Sequence, residues 1–174
     1  MSRERGSNGS AKQRDSYHEH WGNKIKSKNK NVVRILLNNV NGIGQHRGGM
    51  KDEIMRAFMD KWGVDVACIT EPNVHWGKVR HKDTWFERSS GWFESRRLAV
   101  SYHQKRGRLA TVNQYGGTMT IARNDISHRA VQSGYDSSGM GRWLYIRFRG
   151  KRKNVTRVIT CYCPNRSTTG PNTV

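Results

Sequence analysis

The chain is short of acid. Its 174 residues hold 13 Asp and Glu against 32 Lys and Arg, for a formal net charge of +19. Such an excess repels itself unless an anionic partner offsets it. Nucleic acid is the leading partner for a chain of this charge. Long apolar runs are missing as well. None approaches the roughly 20 residues that cross a bilayer, no apolar stretch of signal-peptide type opens the chain, and no basic amphipathic helix of the membrane-surface kind is visible. These absences argue against a membrane partner and lead to the expectation of an intracellular protein, with the composition of a nuclear address in Lys24 to Lys30. Cysteine is scarce. Cys68, Cys161 and Cys163 are an odd count with no repeated spacing, which is not a disulfide framework, and no second Cys/His pair stands at zinc spacing. Cys161 and Cys163 alternate along an expected strand and read as small buried hydrophobes. The glycine-rich stretches lack the Lys-Ser/Thr ending of a phosphate-cradling loop. The sequons at Asn154 and Asn165 carry no weight in a protein that is not secreted.

What is present suffices for one domain with a real core. Residues 1 to 31 read as a basic disordered tail. Eight Lys and Arg there face only Glu4, Asp15 and Glu19, and too few apolar residues are present to offset the entropy of ordering. The domain is expected from residue 32 to 174. Val32 to Leu37 reads as a buried strand. Ile54, Met55, Phe58, Met59 and Trp62 recur at three- and four-residue spacing, one face of an amphipathic helix, and Gly63 stands where a helix stop is expected. Val64 to Thr70 returns as a strand, so the unit is strand–helix–strand, which favours parallel pairing. Residues 74 to 110 read as loops with a short strand near Leu98 to Tyr102. Their Trp76, Trp85 and Trp92 lie among Arg and Lys and suit either stacking on nucleic-acid bases or burial in a core. Gly116 and Gly117 open a further strand. Trp143 to Phe148 and Val155 to Tyr162 form a hairpin whose tip is expected to carry Arg147, Arg149, Lys151, Arg152 and Lys153.

Chemistry is suggested at two strand ends. The first strand runs into Asn38-Asn39-Val40-Asn41-Gly42, and the second ends at Glu71. Neighbouring strands bring such ends to one edge of a sheet. A carboxylate beside amides is a seat for a hard divalent cation, which prefers oxygen ligands.

Five motifs then fall in order: Asn39-Val40-Asn41-Gly42, Asp65 to Glu71, Gly116-Gly117-Thr118, Gly141-Arg142, and Tyr162-Cys163-Pro164-Asn165. Together they resemble the endonuclease/exonuclease/phosphatase superfamily, the deoxyribonuclease I-like fold. Within it the likeness is to apurinic-type endonucleases and to the endonuclease domains of non-LTR retrotransposons. The resemblance covers residues 32 to about 166. It implies an α/β fold, the N-terminal part of a two-sheet sandwich, and an endonuclease-like phosphodiester hydrolase acting on nucleic acid, DNA first. It implies that Glu71 ligates a catalytic Mg2+ (or Mn2+) and that Asn39 sits beside metal and scissile phosphate. Tyr162 and Asn165 would orient that phosphate. Asn41, where relatives often carry Asp, would neighbour the metal. Arg142, Arg149, Lys151, Arg152 and Lys153 are the expected nucleic-acid contacts.

The chain departs from the family after Tyr162. The Gly-Asp-x-Asn and Ser-Asp-His segments that orient the attacking water and polarise the phosphate have no counterpart, and His75, His81, His103 and His128 lie outside the required contexts. The expectation is therefore a domain incomplete at its C-terminal side, with a longer polypeptide or a C-terminal half supplying the rest of the site. Two alternatives stand beside it: a non-catalytic basic nucleic-acid-binding remnant of a retroelement, and a phosphatase of small phosphate esters. Binding to nucleic acid should be dominated by phosphate. Log affinity for duplex is expected to fall with log salt at about −0.9 per neutralised phosphate. Replacing Arg152 and Lys153 by Ala should weaken binding to all sequences alike and flatten that slope, as measured by salt titration of the binding constant.

Overall fold

The computed structural model of the protein describes residues 26–104 and 114–163. It is a mixed α/β structure of two sheets with few helices. The first sheet contains β1 (Ile35–Asn39), β2 (Val66–Thr70), β3 (Arg96–Ser101) and β4 (Thr118–Arg123), in the order β1-β2-β4-β3. As expected from the strand–helix–strand unit, β1 and β2 are parallel, with Asn39 opposite Thr70. β4 runs antiparallel between β2 and β3. The second sheet is an antiparallel meander of β5 (Ala130–Tyr135), β6 (Trp143–Arg149) and β7 (Val155–Cys161).

The helix α1 (Met50–Lys61) connects β1 to β2. Asp52 and Glu53 stand in its first turn, where the helix dipole favours negative charge. It stops at Gly63, whose φ is +58°. The Gly63 N–H donates to Asp60 O and the Val64 N–H to Met59 O, the paired bonds of a Schellman stop. Met55 and Met59 are buried, but Ile54 and Phe58 stay exposed. The expected apolar face is thus wider than the one the helix buries.

One face of the first sheet packs under α1 and the loops that follow β2. The core there joins Ala67, Ile69, Met119 and Ile121 to Met55 and Met59. Trp76, Trp85 and Trp92 are all buried in it, with Trp92 edge-on to Trp85. Core packing is therefore their role, and base stacking is not. Trp85 also opens the short helix α2 (Trp85–Arg88), capped by the Thr84 hydroxyl, which periodicity did not reveal. The other face meets the second sheet through Val66, Cys68 and Ala122 against Ile146 and Phe148. A Thr120–Thr160 hydroxyl bond of 2.6 Å crosses between the sheets.

β1 is not the buried strand that its composition suggests. Ile35 and Leu37 lie on the face of Val66 and Cys68, yet they are 55% and 69% exposed. The second sheet's last strand, β7, lies over β2 and β4 and leaves β1 uncovered. Cys161 and Cys163 are also exposed, since Cys161 points to the outer side of β7, away from buried Thr160. The burial expected of Cys161 and Cys163 is thus not found, while Cys68 is buried. Of the expected tail, residues 1–25 lie outside the described residues. Lys28, in its last stretch, forms an ion pair with Asp65. No helix among the described residues is long and apolar enough to cross a membrane.

A buried ion pair ties the loop after β1 to the core. The Arg88 guanidinium grips the Asp52 carboxylate at 2.7 and 2.9 Å and also donates to the carbonyls of Ile43 and Gly44 at 3.0 Å. Burial pushes the Asp52 carboxyl above its ordinary range, and Arg88 pulls it only part of the way back. Removing one partner of such a pair strands a buried charge and costs about 3–5 kcal/mol. Asp52→Ala should therefore lower the urea-unfolding free energy by that amount. The double change Asp52→Ala/Arg88→Met should recover part of it, because the Ile43 and Gly44 carbonyls still lose their donor.

Candidate metal- and phosphate-binding site

Three loops meet at the C-terminal ends of β1 and β2 and the N-terminal end of β4. Val40 N–H continues the ladder to Thr70 O at 3.1 Å. Beyond it the Gly42 N–H donates to Glu71 O at 2.7 Å and the Ile43 N–H to Pro72 O at 3.1 Å. From the other side, Glu71 N–H reaches Gly117 O and Asn73 N–H reaches Gly116 O, each at 3.1 Å. The main chain of Glu71 is thus gripped by both neighbouring loops. It is held at φ +54°, with Asn41 at +43° and Asn73 at +57°. Positive φ is unusual for a residue with a side chain, and for Glu more so than for Asn.

The Asn39 side chain joins this frame twice. Its Nδ2 donates to Glu71 Oε1 at 2.8 Å, and its Oδ1 accepts from the Asn41 N–H at 3.0 Å. With both its ends committed, Asn39 orients the Glu71 carboxylate through Oε1. Asn41, the other expected metal neighbour, is an exposed turn residue beside Asn39. The donor set fits a hard cation. Mg2+ is commonly held by one or two carboxylates and completes its shell with water and substrate phosphate.

Tyr162 is the third residue brought to the site. Its N–H donates to Arg142 O at 2.7 Å, and its ring lies against Gly116. A Cβ at Gly116 would fall 2.8 Å from Tyr162 Cε1, and the backbone there has φ +80°, so glycine is required on both counts. Burial pushes the Tyr162 phenol above its ordinary value, and the Glu71 charge pushes it further, with a smaller contribution from Cys163. Glu71, Asn39 and Tyr162 therefore share one locale, although β1, β2 and the end of β7 deliver them separately. Arg142 sits at the same end of the second sheet. Its N–H donates to Asp136 Oδ2 at 3.0 Å, and its side chain is exposed. Asn165 lies outside the described residues.

Arg149, Lys151, Arg152 and Lys153 are not part of this locale. They are exposed, but they occupy the opposite end of β6 from Arg142. Six residue steps at about 3.3 Å put the hairpin tip about 20 Å from the Glu71 end. The expected nucleic-acid contacts thus form two groups.

Three supporting residues escape a reading of the sequence. Lys51 Nζ donates to the carbonyls of Val40, Asn41 and Gly42 at 2.6–3.1 Å and so fastens the loop beside Asn39; nothing local in the sequence announces this contact. The Asn73 side chain accepts from Gly116 N–H at 2.7 Å. Its position two residues after Glu71, in a Pro-Asn pair, was the available clue. Asp136 accepts from Ser138 and from the Arg142 N–H. Burial works to raise its pKa, but these hydrogen bonds outweigh it and hold the carboxyl below its ordinary range. The run Asp136-Ser137-Ser138-Gly139 is a turn signature of the kind that forms such bonds.

No protein-family model matches the chain, and no curated protein does. The geometry alone therefore carries the functional reading. The Glu71–Tyr162 neighbourhood has a direct optical test. Glu71→Gln removes a negative charge, so the Tyr162 phenol should ionise at lower pH than in the parent. The return towards the ordinary value should be incomplete, because burial is the larger cause. Ultraviolet titration of tyrosinate, with Tyr162→Phe to assign the transition, measures this shift.

Proposed function

We propose that the Glu71 locale is a divalent-metal site of a phosphodiester hydrolase, endonuclease-like, acting on nucleic acid. The observation that carries this reading is the Glu71 carboxylate itself: hydrogen-bonded to Asn39, on a left-handed backbone, over-determined by main-chain bonds from two loops. Such backbone strain costs on the order of 1–3 kcal/mol and clusters at ligand and catalytic sites. A bound Mg2+ or Mn2+ would offset charge on the phosphoryl oxygens. Glu71 would hold the ion and Asn39 would orient Glu71. The Tyr162 phenol, protonated at neutral pH as phenols ordinarily are, would donate a hydrogen bond to a phosphate oxygen. Arg142 would take up a neighbouring backbone phosphate. The net charge of +19 favours a polymeric polyanion over a small phosphate ester.

The attacking water also needs a base, whose loss typically costs about a hundredfold to ten-thousandfold in rate. The exposed cations Arg142, Arg149, Lys151, Arg152 and Lys153 support a second reading, in which the described residues bind phosphate without cleaving it. Two measurements separate the readings. Mn2+ binding, followed by its paramagnetic resonance signal, should be abolished by Glu71→Gln. It should weaken about 10- to 100-fold in Asn39→Ala, as for other residues that orient a ligand. Nicking of supercoiled DNA with Mg2+ by this chain alone should be slow. Robust nicking lost in Glu71→Gln would establish a complete hydrolase, and unaltered Mn2+ binding in that variant would overturn the metal site.

A further inference from the structure

The outer face of the second sheet carries an arrangement that the Glu71 site does not use. Leu144, Ile146 and Phe148 of β6 point into the core, so Trp143, Tyr145, Arg147 and Arg149 point outward. Trp143 is 37% exposed. The Trp143 and Tyr145 rings lie within 10° of parallel with centroids 6.5 Å apart. Tyr145 reclines across Gly134, where a Cβ would fall 2.5 Å from its ring, and the Arg157 guanidinium covers it at 4.5 Å. Further along the face, Arg147, Arg149 and Lys153 wall an open hollow with Val131 and Val155.

The charge of this sheet is one-sided. Between Ala130 and Cys161 the only acid is Asp136, against Arg142, Arg147, Arg149, Lys151, Arg152, Lys153 and Arg157. Asp136 is buried and committed to its own turn. The exposed Trp143 ring, set beside half-buried Tyr145 among cations, matches the requirements of unpaired nucleotides, whose bases stack on π-faces while their phosphates meet Arg and Lys. A duplex hides its base faces and has no use for the rings.

We propose that the outer face of β5–β7 is a stacking platform for single-stranded nucleic acid, with Trp143 receiving a base, Tyr145 backing Trp143, and Arg147, Arg149 and Arg157 following the backbone. The platform joins the two groups of cations. Trp143 adjoins Arg142 in sequence and pairs with Cys161, the residue before Tyr162, while Arg149 leads to the hairpin tip. An unpaired strand laid along β6 therefore runs between the tip and the Glu71 end. The platform does not depend on metal, so it stands or falls separately from the hydrolase reading.

The test is fluorescence anisotropy of a labelled oligothymidine, in the presence of EDTA, with an abasic strand of equal length as the comparison. The parent chain should bind the base-bearing strand more tightly. Trp143→Ala should lower that affinity about tenfold or more, leave the abasic affinity unchanged, and keep the salt slope; Trp143→Phe should retain most of the binding. Lys153→Ala should instead flatten the slope by about 0.7. Near-parent far-ultraviolet circular dichroism establishes that each variant is folded, and an unfolded Trp143→Ala leaves Trp143→Phe and the abasic comparison to decide. Equal affinity for abasic and base-bearing strands, or a folded Trp143→Ala that binds as the parent does, overturns the platform. Loss of the platform with Glu71-dependent Mn2+ binding intact overturns this inference alone.

Discussion

The parallel register of β1 on β2 is the constraint on which the candidate site depends. A slip of one residue would turn every β1 side chain to the opposite face and remove Asn39 from Glu71. Apolar burial defines this register weakly, because Ile35 and Leu37 are exposed while Leu36 is only half-buried. Polar bonds define it at both ends instead. At the start, Arg34 N–H donates to Asp65 Oδ2 at 2.7 Å, and Arg34 O accepts from the N–H groups of both Asp65 and Val66. At the finish, the N–H groups of Val40, Gly42 and Ile43 hold Thr70, Glu71 and Pro72 in turn. The same bonds that fix the register also force Glu71 into its left-handed conformation, so strand pairing and site geometry are one arrangement.

Five of the six aspartates among the described residues are occupied in holding the fold together. Asp52 pairs with Arg88, Asp60 with Arg123, Asp65 with Lys28, and Asp83 with Arg80, while Asp136 closes its own turn. These pairs neutralise cations inside the fold or at its seams. Among the described residues no acid gives the Arg and Lys of β6, β7 and their hairpin comparable relief. The second sheet and its hairpin therefore carry a net positive charge, and a polyanion there would relieve self-repulsion.

The strand–helix–strand unit, the stop at Gly63, the strand opened by Gly116–Gly117 and the final hairpin were all legible, because each rests on local chemistry: a period, a left-handed glycine, a turn. The convergence of Asn39 and Glu71 was legible for the same reason, since two adjacent parallel strands must end together. What escaped depends on distant partners. Burial of β1 was misjudged because it turns on how far β7 extends over the first sheet. The three tryptophans carried no periodic pattern to tell core from surface, and Cys161 took its side from the pleat of β7 rather than from its own apolar character. The hairpin tip was readable as a basic turn, but its distance from the site was not, because that follows from the direction in which β6 runs.

That direction shapes what the charge can do. Phosphate contacts position a nucleic acid without reading it. A cluster at the tip alone would hold a polyanion in many registers, about 20 Å from Glu71 by the rise of β6. Over that span one strand of a duplex presents about six phosphates, too many for Arg142 and the tip to fix from the two ends. On the proposed platform the cations in between, Arg147 and Arg157, would decide whether a backbone follows β6 towards Tyr162 or crosses it. Arg157 is held over the Tyr145 ring and Arg147 is steadied by Gln132 at 3.3 Å. Both are set in place by neighbours on the sheet before any ligand arrives, which lowers the ordering cost of using them. On the proposed platform the tip would supply attraction, and the fixed middle of the sheet direction.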